Sequence, residues 1–254
     1  MAQFDNRYAQ VATASTRDSA VVDEGLRSYM LGVYNYMAAG IALSGLTAYA
    51  TYAMSVVQTR ANGGLILSPL GQALYMSPLK WVVMLAPLAF VMYLSFRVYK
   101  MSVGAAQIAF WAFAAVMGVS LSSIFLIFKM GSITQVFFVT AAAFAGLSLY
   151  GYTTKKDLSG WGSFLIMGVI GIILAALVNI FLQSSALQFA ISVIGVLVFA
   201  GLTAYDTQRI KDGYYEVMGD MTATSKAAIM GALSLYLDFI NMFTMMLNLF
   251  GSRE

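Results

Sequence analysis

Long charge-free stretches alternate with short polar ones along most of this chain. No charge occurs between Arg27 and Arg60, and Tyr29 to about Ala53 makes a first apolar span. A second runs from Trp81 to Tyr99, bounded by Lys80 and Lys100. The third covers roughly Ala105–Phe128 and stops at Lys129, and the fourth, about Ile133–Tyr152, ends before Lys155 and Lys156. From Leu158 to Tyr205 there are 48 uncharged residues, enough for two spans. Gln183, Ser184 and Ser185 mark the turn between them, giving spans near Trp161–Leu182 and Leu187–Gln208. The last, about Lys226–Phe250, holds a single charge, Asp238. A membrane-crossing helix needs about 20 mainly apolar residues, and spans of this length satisfy their backbone only as helices. The pattern predicts an all-α, polytopic integral membrane protein of seven helices. The segment Met54–Lys80, with Gly63-Gly64 and the pairs Ser68-Pro69 and Ser77-Pro78, reads as an irregular loop.

Composition narrows the chemistry. Apolar residues make up 60% and charged residues 10%, too few charges to cover a soluble protein of 254 residues. With no cysteine and no histidine, thiolate sites, disulfides and the commonest general base and metal ligand are absent. That absence predicts a protein that is not an enzyme and has no resident cofactor. The net charge of +3 does not point to nucleic acid, because the basic residues stand at the ends of apolar runs, as membrane anchors do. With the N-terminus inside, ten of the fourteen lysines and arginines fall in inner segments. This predicts a cell (inner) membrane protein with a cytoplasmic N-terminus and an external C-terminus, so an odd number of spans. Residues 1–27 read as a polar cytoplasmic tail, and 28–254 as the membrane domain.

Nine of the eleven acids lie in tails or loops, which leaves Asp206 and Asp238 inside spans. A charge at mid-membrane costs on the order of 2.5–3.5 kcal/mol even on the lenient insertion scale, so such residues face protein or water and pair with something. Two readings of Asp206 stand open: a site residue, or a helix-end acid neutralised by Arg209 three residues on. Asp238 has no basic residue within ten positions, and its alternative is a neutral acid donating one packing hydrogen bond. Gly231, Ser234, Asp238, Asn241, Met245 and Asn248 recur at steps of three and four, so one face of the last span is polar. Ser234 and Asn241 are then candidate pore-facing residues. If the two carboxyls meet, they share a proton and titrate as a pair, a proton-operated latch that parts the helices or admits a cation. Oxygen-only ligation by Asp206 and Asp238 suits Ca²⁺ rather than zinc or copper. Arg97, near the inner end of the second span, is either the counter-charge or a snorkelling anchor beside Lys100. Gly168/Gly171 and Gly195/Gly201 read as strips for close helix packing.

Three stretches together resemble the transmembrane Bax-inhibitor-motif family: Lys155-Lys156-Asp157-Leu158, Tyr205-Asp206-Thr207-Gln208-Arg209-Ile210, and Ser234-Leu235-Tyr236-Leu237-Asp238-Phe239-Ile240-Asn241. The order and spacing of the spans match from about residue 28 onward. The resemblance implies a bacterial-type member with seven helices and the last at the centre of the other six. It also implies a pH-sensitive calcium leak channel controlled by a di-aspartyl sensor, positions that Asp206 and Asp238 occupy. An arginine late in the second helix partners the first aspartate in some relatives, near the place of Arg97. Some relatives also carry an acid in the second helix, where this chain has none between Glu24 and Asp157.

Two other readings compete. One is a non-conducting regulator of a membrane partner such as a membrane protease or a cell-death factor. The other is an intramembrane aspartyl protease, which also places a Tyr-Asp pair and a second aspartate in consecutive helices. Its second aspartate follows Gly-x-Gly, whereas Leu235-Tyr236-Leu237 precede Asp238 here. The partners expected are the lipid bilayer, Ca²⁺ and protons. For the acids to meet, the last helix has to be offset or re-entrant, because the sixth span is predicted to end just beyond Asp206.

Overall fold

Backbone N–H and C=O groups in a bilayer have only each other as partners, so the apolar stretches close into helices. The computed structural model of the chain describes residues 2–59 and 65–253, with side chains at 22–57 and 65–253. Helix α1 (Ala2–Ser55) leads into a two-stranded antiparallel hairpin, β1 (Val56–Thr59) and β2 (Leu65–Leu67), a short α2 (Pro69–Gly71) and a π-helical turn over Gln72–Met76. Then follow α3 (Leu79–Arg97), tightening to a 3₁₀ turn at Val98–Lys100, α4 (Val103–Leu121), the short α5 (Ile124–Ile127) and α6 (Met130–Thr153). Three long helices complete the chain: α7 (Ser159–Leu182), α8 (Ser185–Val217) and α9 (Met221–Phe250).

Most boundaries have local causes. Asp220 accepts from the N–H groups of Thr222 and Ala223 and starts α9, and Ser184 does the same for α8 through Leu187 N–H. Between α7 and α8, Gln183 adopts φ 49°, the left-handed turn expected at Gln183–Ser185. Ser122 breaks the third apolar stretch, which was expected to run unbroken to Phe128. Its N–H and Oγ both turn back to Val119 O, and its Oγ lies 2.8 Å from Tyr75 Oη. The expected irregular loop is partly ordered by the hairpin, in which Val56 pairs with Leu67 and Thr59 with Leu65. Its Gly63-Gly64 tip lies outside the described residues. The division expected at residue 27 falls inside α1, whose side chains are described from Val22 onward.

Six stretches of the described residues are long and apolar enough to cross a membrane: α3 with its 3₁₀ turn, α4 with α5, α6, α7, α8 and α9. The expected first span lies within α1, which is not among the six; Tyr29, Tyr34, Asn35 and Tyr36 dilute its hydropathy. Helix α9 packs against α1, α4, α6 and α8; α6 and α7 lean on α8, and α1 and α3 on α4. In its most apolar window 61% of α9 is buried, against 11% of α3 and α7, whose large side chains such as Leu88, Leu174 and Phe181 point outward. Small residues set the closest approaches. A Cβ at Gly151 on α6 would run into the Ala204 carbonyl on α8, so the two backbones touch only because residue 151 has none. Gly168 meets Val198, Gly201 meets Leu165 and Gly195 meets Met245, while Gly171 faces open space and takes no part in the expected strip.

Helix α8 departs most from the sequence expectation. It continues through the charged run Arg209–Glu216 to Val217, so Asp206 lies eleven residues from its end. Charge ends a hydropathy segment but does not end a helix, and the added roughly two to three turns form their backbone hydrogen bonds within the helix. The α8–α9 turn is displaced outward by the same amount. Neither offset nor re-entry of α9 is then needed to bring Asp238 level with Asp206.

Candidate functional site

The antiparallel register of α8 and α9 is fixed by contacts along its length: Ile210 against Gly231, Arg209 against Ser234, and Gly195 against Met245. This register sets Asp206 and Asp238 opposite one another. Both are buried, at 7% and 4% exposure, and the carboxyl of Asp238 lies within electrostatic reach of Asp206 and of Arg209. Arg209 Nη2 stands 3.1 Å from Asp206 Oδ1 and donates to Ser234 Oγ at 3.3 Å, linking the two helices. Its side chain is 52% exposed while that of Asp206 is 10% exposed, so the guanidinium reaches inward from a wet surface. The guanidinium also lies over the Tyr205 ring, its carbon 5.7 Å from the ring centroid. A polar cleft of about 230 Å³ opens at this point, lined by Tyr205, Gln208, Arg209, Asp212 and Glu216 among others.

Asp238 is placed differently. Its Oδ2 is buried with no hydrogen-bond partner among the described residues. Leu235 and Tyr236 beside it are fully enclosed, and Tyr236 Oη lies 2.6 Å from Ser44 Oγ, which in turn has the carbonyls of Ala114 at 2.7 Å and Gly40 at 3.0 Å within reach. Asn241 donates to the Leu237 carbonyl of its own helix at 2.8 Å, and Ser234 accepts from Arg209.

Of the two candidate arginines, it is Arg209 that stands beside Asp206. Arg97 ends α3 exposed, with no hydrogen bond or ion pair among the described residues; the guanidinium on Asp206 is that of Arg209. A residue three positions along the same helix is held there by geometry, whereas Arg97 sits on a peripheral helix that packs chiefly on α4. The described residues also hold no group of three or more acids. Two carboxyls with an arginine on one of them fall well short of the six to eight oxygens that Ca²⁺ takes, so a resident Ca²⁺ site does not fit here.

Two motifs read separately in the sequence meet through a residue that sequence reasoning did not single out. Gln208 donates to Lys156 O at 2.9 Å and accepts from Leu158 N–H at 2.8 Å, clamping the α6–α7 turn onto α8 two residues from Asp206. In the same turn Asp157 accepts from Ser159, which holds its exposed carboxyl below the usual range. On the other side of α8, Thr207 Oγ1 lies 2.9 Å from Ser148 Oγ, and Ser148 lies 2.7 Å from Tyr34 Oη. In the sequence Gln208 stands within the Tyr205–Ile210 motif at the end of the sixth span, without a role of its own.

Known proteins agree with this assignment of residues to a membrane fold. The chain is 47% identical over 254 residues to a Caulobacter vibrioides protein, covering 100% of both. It is 41% identical over 252 residues to a Rickettsia prowazekii protein, covering 97% of this chain and 98% of the other. Over 237 residues it is 43% identical to the inner membrane protein YbhL of Escherichia coli strain K12, covering 91% of this chain and 94% of YbhL. The family described as inhibitor of apoptosis-promoting Bax1 matches residues 26–254, which takes in α3 to α9, most of α1 and both buried aspartates. The chain therefore belongs to this Bax inhibitor-like family of membrane proteins.

Proposed function

We propose that the protein is a proton-regulated Ca²⁺ leak of the inner membrane, with Asp206 and Asp238 as its pH-sensing pair and Arg209 as their counter-charge. The observation that carries this reading is Asp238 Oδ2, buried and unpartnered, beside an acid that already has the local arginine. Two ionised carboxyls and one guanidinium leave one uncompensated negative charge in a closed site. A single proton removes it, so protonation and helix packing are coupled. Asp212 and Glu216 at the mouth of the polar cleft favour divalent cations over anions there, and Ca²⁺ is cargo rather than a resident ligand. The bundle in this reading has seven spans, α1 being the first, arranged around α9, with the N-terminus cytoplasmic as the bias of basic residues indicates. The inner-membrane location follows the printed name of YbhL.

The test is Ca²⁺ entry into dye-loaded liposomes carrying the purified protein, compared from about pH 6 to about pH 8, since two interacting carboxyls titrate as a pair. Flux above that of empty liposomes, changing across this range, supports the reading. Flux equal to empty liposomes contradicts it, and stoichiometric co-purification of a membrane partner without flux would favour the regulator instead.

A further inference from the structure

Helices α1 and α6 run antiparallel without closing on one another, and a cavity of about 880 Å³ separates them, floored by Phe239 of α9. Its lining is graded. At one end stand Arg27 and Tyr152; in the middle Tyr34 and Ser148 bond to each other; at the far end Ile41 and Phe137 are apolar. The two helices contribute to it at steps of three and four residues, so each presents one continuous face. From Arg27 to Ile41 the rise along α1 is about 21 Å at 1.5 Å per residue, and one bilayer leaflet with its headgroups is half of about 40–45 Å. Arg27 has no hydrogen bond or ion pair among the described residues. A second cation stands beside the same end: Lys211 Nζ donates to Tyr152 O at 3.1 Å and lies 5.9 Å from the Tyr152 ring, though also 3.9 Å from Asp212.

We infer that this groove is a binding site for one phospholipid with an acidic headgroup, its acyl chain between α1 and α6 and its phosphate on Arg27. Length, polarity gradient and charge each match that occupant. A neutral hydrocarbon would leave the cationic end unused, and a soluble anion would leave the apolar length unused. A lipid here touches α9 through Phe239 next to Asp238, and α6 through Ser148, whose Oγ lies 2.9 Å from Thr207 Oγ1 next to Asp206 on α8. The site does not depend on the ion-leak reading, and its test does not read ion flux.

The full-length protein is reconstituted into phosphatidylcholine bilayers containing a trace of phosphatidylglycerol with a photoactivatable acyl chain, and cross-linked peptides are identified by mass spectrometry. Adducts are expected on the groove faces of α1 and α6, near Ala38, Ala141 and Ala145, several-fold above those on the outward face of α7 at Leu174 and Phe181. Arg27→Gln and Ala145→Trp are each expected to lower groove labelling several-fold and to leave α7 labelling unchanged. Labelling spread evenly over the groove and α7 overturns the inference. So does equal groove labelling by a phosphatidylcholine probe, or labelling that survives Arg27→Gln. Should Ala145→Trp not fold, Arg27→Gln at its exposed position decides the matter alone.

Discussion

Asp206 and Asp238 lie opposite each other across one helical hairpin, yet their surroundings differ. The α8 acid has an arginine 3.1 Å away that reaches in from a polar cleft, and its helix is tied down by Gln208, Thr207 and Lys211. The α9 acid stands beside the buried Leu235, Tyr236 and Phe239 of its own helix, with one carboxyl oxygen that has no hydrogen-bond partner among the described residues. Two acids of equal chemistry thus divide into one that carries an ion pair beside a polar cleft and one enclosed with an oxygen that has no hydrogen-bond partner among the described residues. A latch needs that asymmetry, because two equally solvated carboxylates would simply both ionise.

The largest expected effect comes from erasing the α9 side. Asp238→Asn removes the group whose ionisation the site opposes, and the pH response of the Ca²⁺ leak is expected to flatten completely; a response of wild-type size in that variant breaks the comparison. Next is the counter-charge. Arg209→Gln takes away the cation that favours proton release, so the pH midpoint of the leak is expected to rise by about one unit or more, as for an acid losing an adjacent arginine. Arg97→Gln is expected to leave the midpoint in place, and a shift there instead would transfer the role to Arg97.

Smaller effects concern the scaffold on each side. Gln208→Ala removes two hydrogen bonds from the α8 side, expected to cost about 1–2 kcal/mol in thermal or denaturant unfolding in detergent. An unchanged unfolding midpoint would mean that the turn at Lys156–Leu158 is held otherwise. Tyr236→Phe removes one buried hydroxyl from the α9 side, about 0.6 kcal/mol by the average for hydrogen bonds between membrane helices. A loss several times larger would show that the link from Ser44 to α9 bears on the whole bundle.

The helices could be read from sequence because lipid leaves the backbone a single solution, and the α7–α8 turn because Gln183-Ser184-Ser185 interrupt the apolar run. The two acids could be found by elimination, with nine others outside the spans. The length of α8 was hidden, since Arg209–Glu216 look like a loop to any measure of hydropathy. That one error made Asp206 seem to lie at a helix end and required an offset α9. The pairing of Arg209 with Asp206 is one of the two readings that the sequence leaves open, and its i,i+3 spacing announces it; that Arg209 also reaches Ser234 across to α9 is not visible there. The Gln208 clamp joins residues 50 and 52 positions apart, and no local pattern announces such a pairing.

The central claim is that the pair exchanges a proton in the working pH range. Infrared difference spectroscopy of the membrane-reconstituted protein between about pH 6 and about pH 8 reads it directly, through the carbonyl stretch of a protonated carboxyl. The account predicts a carboxylic-acid band that changes with pH in the wild type, disappears in Asp238→Asn and is altered in Asp206→Asn. A band unaffected by either substitution, or no carboxyl signal over that range, would contradict it.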